Sequence, residues 1–180
     1  MTLKQIFELL EKNGVSTVAK LENMAATHDY AFSFLQDIPL GDAGRLEGYL
    51  FPDTYEFYMG EDARYVLNKM LVNFDAKVTD AMRQQIADQG KSIRDIIIVA
   101  SMIEKESDGT DREKIASVIY NRLNNPSAGT AGYLQIDATI QYVLPEGELV
   151  TNADYTGIDS PYNTYKNKGL PPGPISNPGQ

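Results

Sequence analysis

Apolar residues recur at helical spacing along most of the chain. A helix that begins after Thr2 would place four apolar residues on one face: Leu3, Ile6, Phe7 and Leu10. Thr2 followed by Gln5 forms a capping-box pattern at its start. The same spacing predicts helices over residues 16–26, 29–36 and 62–89, the last of which Gly90 would end. The first 44 residues are therefore predicted to form a small helical lobe.

Helical patterns dominate the second half as well. Ser92 is a suitable N-cap for a helix that continues through IIIVASMIEKES, residues 96–107. Thr110 with Glu113 forms another capping box, which predicts a helix up to Leu123. After a flexible loop, NNPSAGTAG (residues 124–132), the segment YLQIDATIQYVL predicts a short strand and then a helix capped by Asp137. Beyond residue 144 the chain is rich in Gly, Pro, Asn and Tyr, and we expect irregular structure.

One aromatic segment breaks the helical pattern. RLEGYLFPDTYEFYMG, residues 45–60, is rich in Tyr and Phe and carries Gly48 and Pro52, which predicts short strands and turns. Together with the helices, this segment indicates a helix-rich α+β fold.

Composition narrows the possible chemistry. The 180 residues contain no cysteine and one histidine, His28, and carry a formal net charge of −9. Thiol catalysis, cysteine-ligated metals, HExxH zinc sites and Ser-His-Asp triads are therefore excluded, and we expect neither a metal nor a cofactor. The 16 basic residues are scattered and form no stripe for nucleic acid. The sequence contains no run of about 18 apolar residues, so no membrane-spanning helix is predicted. Both ends of the sequence resemble cuts from a longer protein.

The apolar run at residues 96–103 ends in two carboxylates, Glu104 and Glu106. On a helical wheel an apolar stripe runs through Ile96, Ile97, Val99, Ala100 and Ile103. Because a helix turns about 100° per residue, the two carboxylates flank this stripe on opposite sides, roughly 200° apart. At most one of them would face a given cleft, where partial desolvation would suit a general acid. The alternative is a solvated helix terminus, and the wheel does not decide between the two.

Two further segments carry polar groups that suit neutral sugars. In YLQIDATIQY these groups belong to Gln135, Thr139 and Gln141, although such groups are common on any surface, and Asp137 is explained by a simple helix cap. A long loop before GLPPGP contains Tyr162, Asn163, Thr164 and Tyr165 and could line a groove, because long irregular loops in compact domains are often functional. A disordered or truncated tail is the alternative interpretation of that loop.

Four segments in fixed order are together very specific: EGYLFPDTYEF, ASMIEKES followed by IASVIYNRL, LQIDATIQY, and SPYNTYKNKGLPPGPISNPG. They resemble the YceG-like endolytic murein transglycosylase family over residues 46–179. The resemblance implies a lysozyme-like or YceG-like catalytic region at residues 45–180, truncated at its C-terminal end. It also implies a partial LysM-like lobe at residues 1–44.

The resemblance further implies lytic cleavage of the β-1,4 bond between N-acetylmuramic acid and N-acetylglucosamine in peptidoglycan, with 1,6-anhydro ring closure. The family's catalytic glutamate falls on Glu104. Positions inside the matching motifs would shape the saccharide groove or hold Glu104: Glu106, Asn121, Gln135, Asp137, Asn163 and Tyr165.

The same resemblance implies a biological setting. Peptidoglycan strands would be the partner in cell-wall assembly or remodelling, with no nucleic acid involved. The parent protein would be anchored at the extracytoplasmic face of the cell membrane, near cell-wall synthesis proteins, and the present fragment would be soluble. A hydrolytic muramidase and a non-catalytic peptidoglycan-binding module are the alternatives.

Overall fold

The computed structural model describes residues 1–127 and 129–179. Within these ranges the named secondary-structure elements are α-helices and 3-10 turns. The chain divides into two compact units, one formed by Met1–Arg94 with the tail that begins at Ser176, the other by Asp95–Ile175. Within the described residues the β structure is limited to an isolated antiparallel bridge between Tyr133 and Lys168. The helix-rich prediction is confirmed, whereas the strands of the predicted α+β fold are absent from this part of the chain.

Local capping decides where the helices of the first unit begin and end. The capping box of Thr2 and Gln5 is confirmed at the start of α1. The predicted long helix is instead two, because Thr79 accepts a hydrogen bond from the Met82 amide and starts a new helix. The predicted helix over residues 29–36 shrinks to one 3-10 turn. The helical elements of this unit are α1 (Leu3–Lys12), α2 (Val18–Thr27), the 3-10 turns Ser33–Leu35 and Ala43–Leu46, α3 (Ala63–Lys77) and α4 (Asp80–Asp88).

The prediction of short strands between residues 45 and 60 is wrong. Residues 51–57 have no regular secondary structure, and side chains of α3 contact them. Lys69 donates to the Glu56 carbonyl at 2.6 Å, and Asn73 donates to the Tyr55 hydroxyl at 2.9 Å. Aromatic enrichment therefore identified a non-helical segment, but a strand also needs a hydrogen-bonded neighbour.

A buried polar cluster closes the first unit. Both carboxylate oxygens of Glu47 accept from the Leu3 amide, at 2.9 and 3.0 Å, at the start of α1. Asn177, from the tail, donates to Glu47 at 2.8 Å. Its side-chain oxygen accepts from the amides of Gly48 and Leu50, both at 2.9 Å. The tail motif SNPG is therefore part of the first unit's interior.

The second unit is built around α5 and carries every predicted site residue. Its helices are α5 (Ile93–Glu106), α6 (Arg112–Asn124), α7 (Asp137–Val143) and the short α8 (Asp154–Gly157). Its core includes a cluster of buried apolar side chains from helices and loops: Ile98, Val99, Met102, Ile119, Leu134, Ile136 and Ile175. Ser101 is buried in α5, where its hydroxyl donates to the Ile98 carbonyl and accepts from the Ile175 amide.

The deepest face of α5 differs from the stripe on the helical wheel. Ile98 and Met102 are buried at 3% and 0% exposure, whereas Ile96, Ala100 and Ile103 are only partly buried. Ile97 and Val99 of the predicted stripe are buried, but Ile98 and Met102 outside it are buried as well, because residues 96–99 are apolar on every side of the helix. The partly exposed residues leave an apolar strip on the side of α5 that carries Glu104.

Two predicted caps in this unit are wrong. The N-cap of α6 is Asp111 rather than Thr110, and the N-cap of α7 is Ile136, so that Asp137 is the first helical residue. The predicted loop over residues 124–132 includes Ala128, which lies outside the described residues. The predicted module boundary after residue 44 does not coincide with the division into compact units and stays a prediction.

No helix in the described ranges is long and apolar enough to cross a membrane.

Candidate active site

Glu104 lies in the last turn of α5, where the helix leaves the core. Its side chain is 31% exposed, and its Oε2 atom lies 3.4 Å from Nη2 of Arg112, the first residue of α6. The partly exposed Ala100 precedes it by one helical turn and lies on the same side of α5. Glu104 is therefore a half-exposed carboxylate with an apolar neighbour on one side and a guanidinium on the other.

Glu106 has a different partner from Glu104. Its Oε1 atom accepts a hydrogen bond from the Ala138 amide, at 3.2 Å, in the first turn of α7. Ile136, the N-cap of that helix, has no side-chain acceptor to offer. Glu106 therefore supplies the missing cap from another helix and links the end of α5 to the start of α7.

Asp137 lies beside this cap and binds two tyrosines. The Tyr165 hydroxyl donates to Oδ1 at 2.5 Å, and the Tyr155 hydroxyl donates to Oδ2 at 3.2 Å. The two rings stack with their centroids 4.3 Å apart and their planes 24° apart. We call these three residues the tyrosine–aspartate cluster.

The tyrosines of this cluster hold their protons firmly. Partial burial, and then the hydrogen bond to Asp137, raises the pKa of Tyr165. The pKa of Tyr155 is raised by the same two causes in the same order. Because both hydroxyls stay protonated well above neutral pH, both remain donors to Asp137.

The side chain of Asn163 forms hydrogen bonds with the backbone of both cluster tyrosines. It is fully buried, its amide donates to the carbonyls of Tyr155 and Ile158 at 3.2 and 2.9 Å, and its oxygen accepts from the Tyr165 amide at 3.0 Å. Its side chain thus joins the backbones of both cluster tyrosines. Burial places this amide inside the protein, where it shapes the loop.

Gln135 is held in an unusual backbone conformation. Its φ is +52°, a region that costs a non-glycine residue of order 1 kcal/mol. Its amide donates to the Thr164 carbonyl at 3.2 Å, and the Thr164 hydroxyl accepts from the next amide, of Ile136, at 3.0 Å. The buried Thr164 therefore fixes the turn that presents the exposed Gln135.

Asn121 does not join the others. It lies nine residues after Arg112 on α6, which is half a turn away from the side that meets Glu104. It lines a separate recess of about 380 Å³ with neighbours from α6 and the following loop: Val118, Arg122, Asn125, Gly129 and Thr130.

The structure thus groups most, but not all, of the predicted residues. Asp137 and Tyr165 touch, Glu106 meets the residue after Asp137, and Gln135 and Asn163 reach the cluster through Thr164 or directly. The sequence analysis missed Arg112 and Tyr155, and it gave Thr164 only a general place in the loop that could line a groove. Thr164 stood inside a recognised motif, whereas Tyr155 lies in the irregular segment after residue 144, where no periodicity marks it. Groups of three or more metal-ligating side chains are absent from residues 1–127 and 129–179.

Known proteins resemble this chain over most of its length. An endolytic murein transglycosylase of Streptococcus pneumoniae (serotype 2, strain D39) is 34% identical over 157 residues, which is 81% of this chain and 27% of that protein. An endolytic murein transglycosylase of Bacillus subtilis (strain 168) is 38% identical over 135 residues, 74% of this chain and 36% of that protein. The chain therefore spans well under half the length of these relatives.

A solved structure shares the fold. The crystal structure of a putative YceG-like protein from Listeria monocytogenes superposes with a TM-score of 0.79 at 33% sequence identity, covering 99% of this chain and 61% of that one. The sequence model of the YceG-like family matches residues 1–180. Its match over the full sequence, together with the shared fold, establishes that the chain belongs to the YceG-like family.

Proposed function

We propose that this chain carries the centre of an endolytic peptidoglycan lytic transglycosylase, with Glu104 as its acid and base. The carrying observation is the placement of Glu104, a half-exposed carboxylate at the end of an apolar helix beside Arg112. The names of the pneumococcal and B. subtilis relatives support the same reaction class. The bond broken would be the β-1,4 link between N-acetylmuramic acid and N-acetylglucosamine.

One carboxyl group is sufficient for the lytic reaction. Glu104 gives its proton to the bridging oxygen as the glycosidic C–O bond breaks. The resulting carboxylate then takes the proton of the muramyl C6 hydroxyl, whose oxygen bonds to C1 and closes the 1,6-anhydro ring. Glu104 ends the cycle protonated, and no water is consumed.

The partners of the other carboxylates favour this single-acid scheme over hydrolysis. A glycoside hydrolase uses two carboxyl groups on either side of the bond. Glu106 is held by the Ala138 amide, and Asp137 by two tyrosines, so each has a supporting task of its own. Arg112 would stabilise the negative charge that Glu104 carries between the two proton transfers.

Several broader features belong to the same proposal. Residues 1–44 would be a partial LysM-like lobe and residues 45–180 a lysozyme-like catalytic region. The whole protein would be anchored at the outer face of the cell membrane and act near cell-wall synthesis proteins. These features rest on family resemblance.

Mass analysis of products from isolated glycan strands tests the reaction. We expect strands with anhydro ends from the unsubstituted chain, and a loss of about 10²- to 10⁴-fold for Glu104→Gln, because the amide cannot transfer the proton. Products heavier by one water would identify a muramidase. Strands that bind but are never shortened would identify a binding module and overturn the proposal.

A further inference from the structure

We propose that the tyrosine–aspartate cluster is a saccharide subsite that accepts a hydrogen bond from the acetamido N–H of a substrate sugar, and that Tyr155 belongs to it. This inference rests on the proposed function, because it assumes a peptidoglycan strand as ligand. It adds Tyr155, which no motif suggested, and it fixes the direction of the hydrogen bonds.

Hydrogen-bond accounting determines what the cluster can recognise. The hydroxyl hydrogens of Tyr155 and Tyr165 are both directed at Asp137, one at each oxygen. An ionised carboxylate offers about four acceptor positions, of which these bonds occupy two. The groups left for a ligand are acceptors, chiefly the remaining lone pairs of Asp137. A ligand must therefore bring donors, and anions are repelled.

The cluster is held rigidly before any ligand arrives. Asn163 fixes the backbones of both tyrosines, and the rings stack against each other at 4.3 Å. Asp137 itself is fixed at the first position of α7, next to the amide that Glu106 caps. Such support keeps the acceptors in one arrangement, which is what selective recognition requires.

The surface of the cluster suits a sugar. Asp137 is exposed and both tyrosines are partly exposed, so the acceptors and the edges of two aromatic rings reach solvent together. An aromatic ring can contact the apolar face of a pyranose while polar groups at its edge form hydrogen bonds. The exposed Gln135, with its positive φ, lies two residues before Asp137 in the chain.

An acetamido group matches this surface better than a hydroxyl does, because its N–H is a donor and its methyl group can contact the tyrosine rings. A sugar hydroxyl is both donor and acceptor, whereas the N–H of an N-acetylated sugar is always a donor. Both sugars of a peptidoglycan strand carry this group. The cluster would thus distinguish N-acetylated strands from glucans that have the same linkage.

The test compares two tetrasaccharides that differ at the 2-position of each sugar. Chitotetraose carries acetamido groups, and cellotetraose carries hydroxyls on the same β-1,4 backbone. Binding of each to the whole chain, in a Glu104→Gln background that prevents cleavage, is measured by calorimetry or by NMR titration. We expect the Glu104→Gln chain, the parent of all variants below, to bind chitotetraose on the order of tenfold more tightly than cellotetraose, because the acetamido group brings a fixed donor and a methyl group that a hydroxyl lacks.

Substitutions in the cluster should remove this preference. Asp137→Asn replaces one acceptor oxygen with an amide donor, so we expect the ratio of the two Kd values to fall toward one. Tyr155→Phe keeps the ring but frees the carboxylate to turn, and we expect the ratio to fall by about threefold. Tyr133→Phe, a hydroxyl deletion outside the cluster in the same unit, should leave the ratio unchanged. Thermal unfolding of each variant verifies that it is folded.

Three results would overturn the subsite: a parent that does not bind chitotetraose, a parent with equal affinity for the two sugars, or an unchanged ratio in folded Asp137→Asn. Each outcome is independent of product formation. The lytic assignment would fail separately, on the products of the unsubstituted chain.

Discussion

Glu47 in the first unit and Glu104 in the second show two different uses of a carboxylate. Glu47 is 6% exposed and accepts hydrogen bonds from the Leu3 amide and from Asn177. Glu104 is 31% exposed in its side chain and meets the Arg112 guanidinium at 3.4 Å. Buried charge is tolerated only where the protein supplies its hydrogen bonds, so Glu47 is committed to the fold. Glu104 keeps access to solvent and hence to a substrate.

The comparison also explains the two most recognisable motifs of the sequence. The SNPG tail is specific because Asn177 satisfies two backbone amides and a carboxylate at once. The EKE motif is specific because its two glutamates, at one end of α5, have different partners: Glu104 contacts Arg112 and Glu106 accepts from the Ala138 amide. A recognisable motif therefore reflects a buried structural contact in the first unit, at Asn177, and a candidate catalytic group in the second unit, at Glu104.

The largest effect on stability is expected at Asn177. Asn177→Ala would leave the buried amides of Gly48 and Leu50 without an acceptor, so we expect the free energy of unfolding to fall by about 3 kcal/mol. Asn177→Asp keeps the acceptor but places a second carboxyl beside Glu47, and it should also destabilise the chain. The measurement is urea unfolding, with the exposed Asn23→Ala as a control expected within about 0.5 kcal/mol. A loss below 1 kcal/mol in Asn177→Ala would remove the structural side of the comparison.

A smaller effect is expected at Glu106. Glu106→Ala removes the acceptor for the Ala138 amide, and loss of a helix cap costs about 1 kcal/mol. Glu106→Gln keeps a side-chain oxygen and should lose less. Hydrogen exchange of the Ala138 amide reports this contact directly, and Lys105→Ala, on the same turn, serves as the control. Equal protection in Glu106→Ala and the unsubstituted chain would show that the cap contributes nothing.

The smallest stability effect is expected at Arg112, where the ion pair is partly exposed. We expect Arg112→Gln to change the unfolding free energy by less than about 1 kcal/mol. If Arg112 stabilises the carboxylate of Glu104 during turnover, kcat on glycan strands should nevertheless fall several-fold. Lys114→Gln removes an exposed positive charge from the same helix without that contact. An equal kcat in both variants would separate Arg112 from the chemistry.

Local sequence patterns predicted most of the helices correctly, but they did not predict the contacts between residues that are distant in sequence. The spacing around Leu3 and the capping box of Thr2 gave α1 its correct start, because all the interactions that decide it lie within one turn. The strand expected after Arg45 failed, since strand formation depends on a neighbour that no local pattern reveals. The same limit hid the cap of α7, which Glu106 supplies from 32 residues away.

The residues of the candidate site could be predicted where they lie inside recognised sequence motifs. Motif resemblance selected Glu104, Asp137 and Tyr165, and the structure places Asp137 and Tyr165 in direct contact. Motif resemblance could not predict the contacts of each residue. Asp137, expected as a helix cap, accepts hydrogen bonds from two tyrosine hydroxyls, and Asn163 is buried. Tyr155 escaped because its contacts, 18 residues from Asp137 in sequence, exist only after the loop has folded.

The most direct test of the central claim compares Glu104→Gln with Glu106→Gln on the same glycan strands. The two substitutions are chemically identical and lie two residues apart in α5. We expect Glu104→Gln to lose about 10²-fold or more of the anhydro product, because the proton donor is gone. Glu106→Gln, which retains an acceptor for Ala138, should stay within about fivefold of the unsubstituted chain. Full product from Glu104→Gln, or a loss confined to Glu106→Gln, would contradict the account.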